Sequence, residues 1–191
     1  MKGKFIVISG PGGVGKDTIA KELVERTNII YSVSMTTRKI RSNEVDGKDY
    51  FFVDKNTFED NIKNNNILEY TFFNGNYYGT PRDFVFNNID KGIDVIAVLD
   101  IKGALNIEKI YPSAISIFIM PPTFEELERR IRERGTDSED VIRQRLKIAK
   151  EEIKNSNKYD YVVINNTVDK SVEEIITIIK KEKNMYIWKN K

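Results

Sequence analysis

The chain has 191 residues, 40% of them hydrophobic and 31% charged, with 31 basic side chains against 29 acidic ones and a formal net charge of +2. This suits one globular unit with a real core and small inserted parts. The charge balance gives no support for a nucleic-acid surface or an anionic membrane partner. Cysteine and histidine are both absent, so disulfides, thiol nucleophiles, imidazole bases and zinc sites built on those residues are excluded.

The first predicted element is a strand, Phe5–Ser9, opening so early that no room for a signal peptide is expected. A glycine loop follows: Gly10, Pro11, Gly12, Gly13, Val14, Gly15, then Lys16, Asp17 and Thr18. A helical pattern comes next, with Ile19, Ala20, Leu23 and Val24 on one side. Strand, glycine loop, lysine and helix form a P-loop layout. Glycines let successive backbone N–H groups converge on one anion, and the helix start adds its dipole and unpaired donors. Lys16 brings a full charge to the outer phosphates, so a nucleoside triphosphate is the expected ligand. The usual Ser or Thr after the lysine, which binds Mg²⁺ through its hydroxyl, is replaced by Asp17. A carboxylate also suits that ion.

Further strands are predicted at Ile29–Ser34, Val95–Leu99, Ile115–Met120 and Tyr161–Ile164. Runs such as Val95–Leu99 are apolar on both faces, as in a buried parallel sheet. Residues 35–83 break the rhythm. Asp46-Gly47, Asn74-Gly75 and Gly79 read as turns, Tyr50–Val53 and Tyr70–Phe73 as short antiparallel strands, and Thr57–Asn64 as a helix. Asn64-Asn65-Asn66 reads as a turn. Later helices are predicted at Thr123–Arg134, opened by a Thr123-x-x-Glu126 capping box, at Val141–Asn155, and at Ser171–Lys181, opened by Ser171-x-x-Glu174. Arg129–Arg145 is a short polar, arginine-rich insertion. Alternating strands and helices predict an α/β doubly wound domain, with its ligand beyond the carboxyl ends of the strands. No apolar run approaches the ~20 residues of a membrane span, so a cytoplasmic location is the default.

Several separate blocks, in order, carry a resemblance. They are Ser9–Lys16, Ser32–Arg38, Glu44–Tyr50, Gly75–Pro81, Arg134–Asp137 and Tyr159–Val163. Over nearly its whole length the chain resembles the guanylate kinases, within the P-loop nucleoside monophosphate kinases. The resemblance implies a parallel-sheet P-loop core (1–34, 84–124 and 146–191), an inserted mixed-β GMP-binding lobe (35–83) and a short helical lid (125–145). It implies Mg²⁺-dependent phosphoryl transfer from ATP to GMP or dGMP, giving GDP for nucleotide recycling, with no obligatory protein partner. A non-catalytic guanylate-kinase-like module binding a phosphorylated partner is the alternative. A kinase of the same fold acting on another phosphorylated acceptor, such as a ribose phosphate, is a further rival.

By composition alone Glu69 is a solvated strand carboxylate, and Arg38, Lys39 and Arg41 form an ordinary basic loop. The resemblance assigns Glu69, Thr80 and Ser34 to the guanine. Glu69 would accept from N1–H and N2–H₂, and Thr80 would donate to O6. Arg38, Arg41, Tyr50 and Tyr78 would clamp the GMP phosphate. Asp100 would face the GMP and metal region, so Asp17 and Asp100 are the candidate Mg²⁺ ligands. Lys16, Arg130, Arg134 and Arg145 would surround the moving phosphoryl group, Thr18 would meet the α-phosphate, and Asn165 would contact adenine. Arg132 and Arg143 read as surface residues. Lys102 stands where the family has glutamine, and either adds charge near the site or points to solvent. The tail Met185–Trp188 would cover the core.

Overall fold

The computed structural model of the chain describes residues 2–133, 135 and 138–189, the last five of these by backbone alone. Arg134 and Asp137, singled out in the sequence, lie outside the described residues, as do the side chains of Met185–Trp188.

A five-stranded sheet forms the centre. Its strands are β1 (Phe5–Ser9), β2 (Ile30–Tyr31), β7 (Val95–Val98), β8 (Ile115–Met120) and β9 (Tyr161–Ile164), in the order β2-β7-β1-β8-β9. Every neighbouring pair is parallel. In β1 alternate side chains serve opposite faces. Ile6 and Ile8 pack with Ile19, Ala20 and Leu23 of α1 (Lys16–Arg26) and Val172, Ile175 and Ile179 of α7 (Val168–Lys189). Phe5 and Val7 pack with Val85 and Ile89 of α3 (Arg82–Asp90) and Ala104 and Ile107 of α4 (Ile101–Ile110). Burial on both faces is why β1, β7 and β8 read as unbroken apolar runs.

A second sheet, in the order β4-β3-β6-β5, consists of β3 (Met35–Thr36), β4 (Phe51–Phe52), β5 (Ile67–Phe73) and β6 (Asn76–Pro81). β3 and β4 run parallel, while β6 is antiparallel to both β3 and β5. The β5–β6 hairpin turns at Asn74-Gly75, with φ of 47° and 78°; positive φ at both central residues suits the strand twist. Gly79 was expected in a turn but lies inside β6. A Cβ there would meet Phe58 Cζ at 2.9 Å and Ile67 Cγ2 at 2.8 Å. The glycine is therefore required by close packing of α2 (Lys55–Lys63) on the strand. Phe58 of α2 is fully buried and stacks on Tyr77, ring centroids 5.1 Å apart.

Helices α5 (Phe124–Glu133) and α6 (Glu139–Ile153) make up the arginine-rich region. Thr123 caps α5, its hydroxyl accepting from Glu126 N–H at 3.1 Å. The capping box expected at Ser171 is not one. α7 begins a turn earlier, after Thr167, and Ser171 is buried, donating to Asn165 Oδ1 and Thr167 O. Helices α3 and α4 have no counterpart among the predicted elements. Among the described residues no helix is long and apolar enough to cross a membrane.

Candidate active site

The site lies at the carboxyl ends of the parallel strands, where β1 runs into the glycine loop and β7 into Asp100. Gly10, Gly13 and Gly15 have φ of 142°, 93° and 96°, a region that favours glycine. Space demands glycine too. A Cβ on Gly10 would meet Ile119 O at 2.4 Å, and one on Gly15 would meet Asn165 Nδ2 at 2.8 Å. Lys16 folds back over the loop, and its Nζ donates to Gly10 O at 2.7 Å and Pro11 O at 3.1 Å. The ammonium is thus fixed at the mouth of the loop. Asp17 and Thr18 are exposed on the first turn of α1.

Asn165, expected beside adenine, is 3% exposed. Its Nδ2 donates to Val14 O at 2.8 Å and its Oδ1 accepts from the Ser171 hydroxyl at 3.1 Å. It braces the glycine loop from beneath. Replacing Asn165 with alanine takes away the side-chain donor to Val14 O, while Ser171 keeps its bond to Thr167 O, so a loss of about 1–3 kcal/mol in unfolding free energy is expected in urea titrations.

Beside the loop is a cavity of about 180 Å³ between the two sheets, whose walls include Ser34, Tyr50, Glu69, Thr71, Tyr78 and Asp100. Glu69 and Thr71 alternate along β5, so both face it, and both are buried. Glu69 is 5% exposed, and its Oε1 accepts from the Thr80 hydroxyl at 2.8 Å. Its Oε2 is buried with no hydrogen-bond partner. Burial pushes the Glu69 pKa up to about 7, against the Thr80 bond, which lowers it; Asp100 adds to the rise. An orphaned buried carboxylate oxygen is costly, and a ligand with paired N–H donors would satisfy it. Thr80 was expected to donate to the base; here its hydroxyl proton goes to Glu69. Gly103 allows this crowding, since a Cβ there would lie 2.9 Å from Glu69 Oε2.

Asp100 caps α4. Its Oδ1 accepts from Gly103 N–H at 2.6 Å and its Oδ2 from the Thr71 hydroxyl at 2.9 Å. Sequence reasoning missed Thr71, although its two-residue spacing from Glu69 marks a shared face. Lys102 does not line this cavity. It is exposed on α4, in a neighbouring groove whose walls include Glu69, Arg82 and Lys109.

At the edge of the cavity, Tyr50 and Tyr78 meet edge-on, with centroids 6.0 Å apart. Burial raises the Tyr50 pKa, with Asp17 adding to the rise. The Tyr50 hydroxyl is therefore a donor at neutral pH. Arg38 lies over the Tyr50 ring, its Cζ 5.5 Å from the centroid, while Arg41 is exposed. On the opposite side, Arg130 donates to Glu126 Oε1 at 2.8 Å and to Asn165 O at 3.1 Å. Arg145 lies on α6. Arg132 and Arg143 are surface residues, both paired to Glu139. Sequence reasoning also missed Glu152 on α6. Burial raises its pKa, and neighbouring Lys16 and the Gly12 N–H hold it down.

An Mg²⁺ ion keeps several waters and phosphate oxygens and needs only one or two protein carboxylates. Asp17, exposed on α1, and Asp100, in the cavity wall, are carboxylates of the kind such an ion takes. Among the described residues no cluster of three or more acidic side chains offers a fuller cage. The donor set therefore fits an ion that arrives with a nucleotide.

Comparisons with known proteins match the same architecture. The guanylate kinase family model matches residues 2–182. A guanylate kinase of Clostridium tetani is 50% identical over 182 residues, covering 95% of this chain and 88% of that protein. One from Bacillus cereus is 48% identical over 180 residues, covering 93% and 88%. A crystal structure of guanylate kinase from Anaplasma phagocytophilum superposes with a TM-score of 0.79 at 38% identity, covering 95% of this chain and 86% of that one.

Proposed function

The chain belongs to the guanylate kinase family, and from that premise we infer that it transfers the γ-phosphoryl group of ATP to GMP, giving ADP and GDP. The observation that carries the choice of acceptor is the unpartnered Oε2 of Glu69 in the cavity wall. Guanine offers N1–H and N2–H₂ side by side. Adenine has an acceptor at N1 and no amino group at C2, and would leave the carboxylate unpaired. Such a site rejects the wrong base by orders of magnitude.

In this reading Ser34, Glu69 and Thr80 hold the base, and Arg38, Arg41, Tyr50 and Tyr78 hold the phosphate. The glycine loop and Thr18 hold the ATP phosphates, with Asn165 fixing the loop. The nucleophile is an oxygen of the GMP phosphate. It already carries negative charge, so no general base is required. Lys16, Arg130, Arg134 and Arg145 neutralise charge on the moving group, and the in-line arrangement of donor and acceptor supplies the rest. Asp17 and Asp100 would hold Mg²⁺, whose chemistry is to neutralise charge on the ATP phosphates. Residues 35–83 and 125–145 would close as lobe and lid over the core and exclude water. A cytoplasmic setting supplies both nucleotides. The retained glycines and Lys16 weigh against a non-catalytic binding module.

An ADP-release assay with ATP and Mg²⁺, comparing GMP, AMP, UMP and CMP, tests the assignment. Release with GMP alone is the expected outcome. Equal rates with AMP would refute the role given to Glu69, and GMP binding without turnover would favour the binding module.

A further inference from the structure

Glu44, in the loop between β3 and β4, has no role in the scheme above. Its carboxylate takes the end of the Arg38 fork: Nη2 donates to Oε1 at 2.7 Å and Nη1 to Oε2 at 3.0 Å. Nη1 also donates to Lys39 O at 2.8 Å. The same carboxylate accepts from the Arg41 backbone N–H at 2.9 Å, and Arg41 Nη1 lies 3.8 Å from it. One acid thus ties together both arginines assigned to the acceptor phosphate.

A guanidinium has five N–H donors. Three of those on Arg38 are spent, on Glu44 and Lys39. The remaining two, on Nε and Nη2, form the side edge of the fork, which can take a second oxyanion bidentately; the Tyr78 hydroxyl interacts with the same guanidinium. The rings of Tyr50 and Phe52 lie against the guanidinium, with centroids 5.5 and 5.6 Å from Cζ. Its plane is therefore fixed by the carboxylate at its end and by aromatic rings. The Arg38 and Glu44 side chains are only 15% and 13% exposed. A free arginine would lose considerable rotamer entropy on gripping phosphate; this one has lost it already.

We propose that Glu44 is a positioning residue that holds Arg38 and Arg41 in place for the acceptor phosphate, occupying the end of the Arg38 fork and leaving its side edge to the phosphate. The proposal rests on the acceptor reading above. It makes a prediction opposite in sign to simple Coulomb repulsion. If Glu44 merely competed with phosphate, removing its charge would tighten GMP binding. If it positions the arginines, removal weakens it.

The test is calorimetric titration of the full chain with GMP and with guanosine, which lacks the phosphate, for the wild type, Glu44→Ala and Glu44→Gln. KM and kcat are measured alongside. Expected for Glu44→Ala is a roughly 10–100-fold rise in Kd and KM for GMP, the loss of charge-assisted hydrogen bonding. Guanosine binding and kcat should change by less than about threefold, because neither the base pocket nor Lys16 is touched. Glu44→Gln, keeping one acceptor oxygen, should fall between. Unchanged or tighter GMP binding in Glu44→Ala overturns the proposal. So does an equal loss of GMP and guanosine, which would mark a merely structural role. A wild type that binds guanosine as well as GMP would instead overturn the assignment of the phosphate site itself.

Discussion

Replacing Lys16 with alanine is expected to lower kcat by roughly 10³-fold or more, while the Kd for GMP changes by less than about threefold. The expectation follows from where the ammonium sits. Its Nζ is anchored on Gly10 O and Pro11 O, at the start of a helix whose N–H groups point the same way. A charge fixed in advance stabilises a developing phosphoryl transition state without reorganising when the reaction occurs. Lys16 is not among the residues lining the acceptor cavity, so the loss should fall on transfer and spare acceptor binding. A coupled ADP-release assay gives the first quantity and calorimetric titration with GMP the second. Turnover within about tenfold of the wild type would exclude Lys16 as the main phosphoryl-stabilising charge. A collapse of GMP binding would mean instead that the substitution had disturbed the whole carboxyl edge of the sheet.

How far the sequence disclosed this arrangement depends on the physical signal each part emits. β1 and β8 were legible to the residue because double-sided burial writes an unbroken apolar run; β9 was legible from its β-branched run although Val162 and Ile164 are exposed. The glycine loop was legible because left-handed φ values and the close approach of Ile119 leave only glycine. Helices α3 and α4 were not. Each is short, and α4 opens on Asp100, whose capping role is hidden by its assignment to the metal region. The start of α7 was misplaced because Ser171-x-x-Glu174 imitates a cap, while the actual cap, Thr167, precedes an unremarkable turn. Gly79 looked like punctuation, yet the constraint on it is the ring of Phe58, 21 positions away in sequence, and spacing alone cannot show a tertiary contact.

The candidate site shows the same division. Lys16 and the glycines announced themselves through local geometry. Glu69 did not, since an acid on a strand is usually solvated; only its resemblance to a family block singled it out. What no local pattern could supply was its burial, its single bond to Thr80 and its empty second oxygen. Nor could the sequence show that the Asn165 side chain donates to Val14 O. Glu44 stood in a quoted block without a role, because its partners Arg38 and Arg41 are joined to it by loop geometry and not by helical or strand spacing.

The orphaned oxygen of Glu69 yields the second large expectation. With Glu69 replaced by glutamine, kcat/KM for GMP should fall by roughly 10³-fold and the preference for GMP over AMP should collapse. Glutamine offers one acceptor oxygen to guanine's two donors, and its amide can donate to adenine N1. The apo protein should respond in the opposite direction. The Glu69 pKa is about 7 in the folded protein against 4.5 for the free side chain, so the folded state holds an extra proton between those values. Wild-type stability therefore falls as pH rises from about 4.5 to 7, by an amount on the order of 3 kcal/mol. Above pH 7 the full cost of the buried anion is present. Glu69→Gln removes that dependence, and its unfolding free energy at pH 8 should exceed that of the wild type by about 1–2 kcal/mol, part of the gain being offset by a buried amide. Guanine binding carries the reverse sign. It requires the ionised carboxylate, so wild-type affinity for GMP should weaken as pH drops below about 7, with proton release on binding in that range. Urea titrations across pH 5–8 and calorimetry in buffers of different ionisation enthalpy measure the two sides. A Glu69→Gln protein less stable than the wild type at pH 8, or GMP binding with no proton release near pH 6, would show that the carboxylate is not held as an unsatisfied anion awaiting a base. Loss of function with gain of stability is the signature of a residue kept for its ligand, because the donors that make the buried charge tolerable arrive only with the substrate.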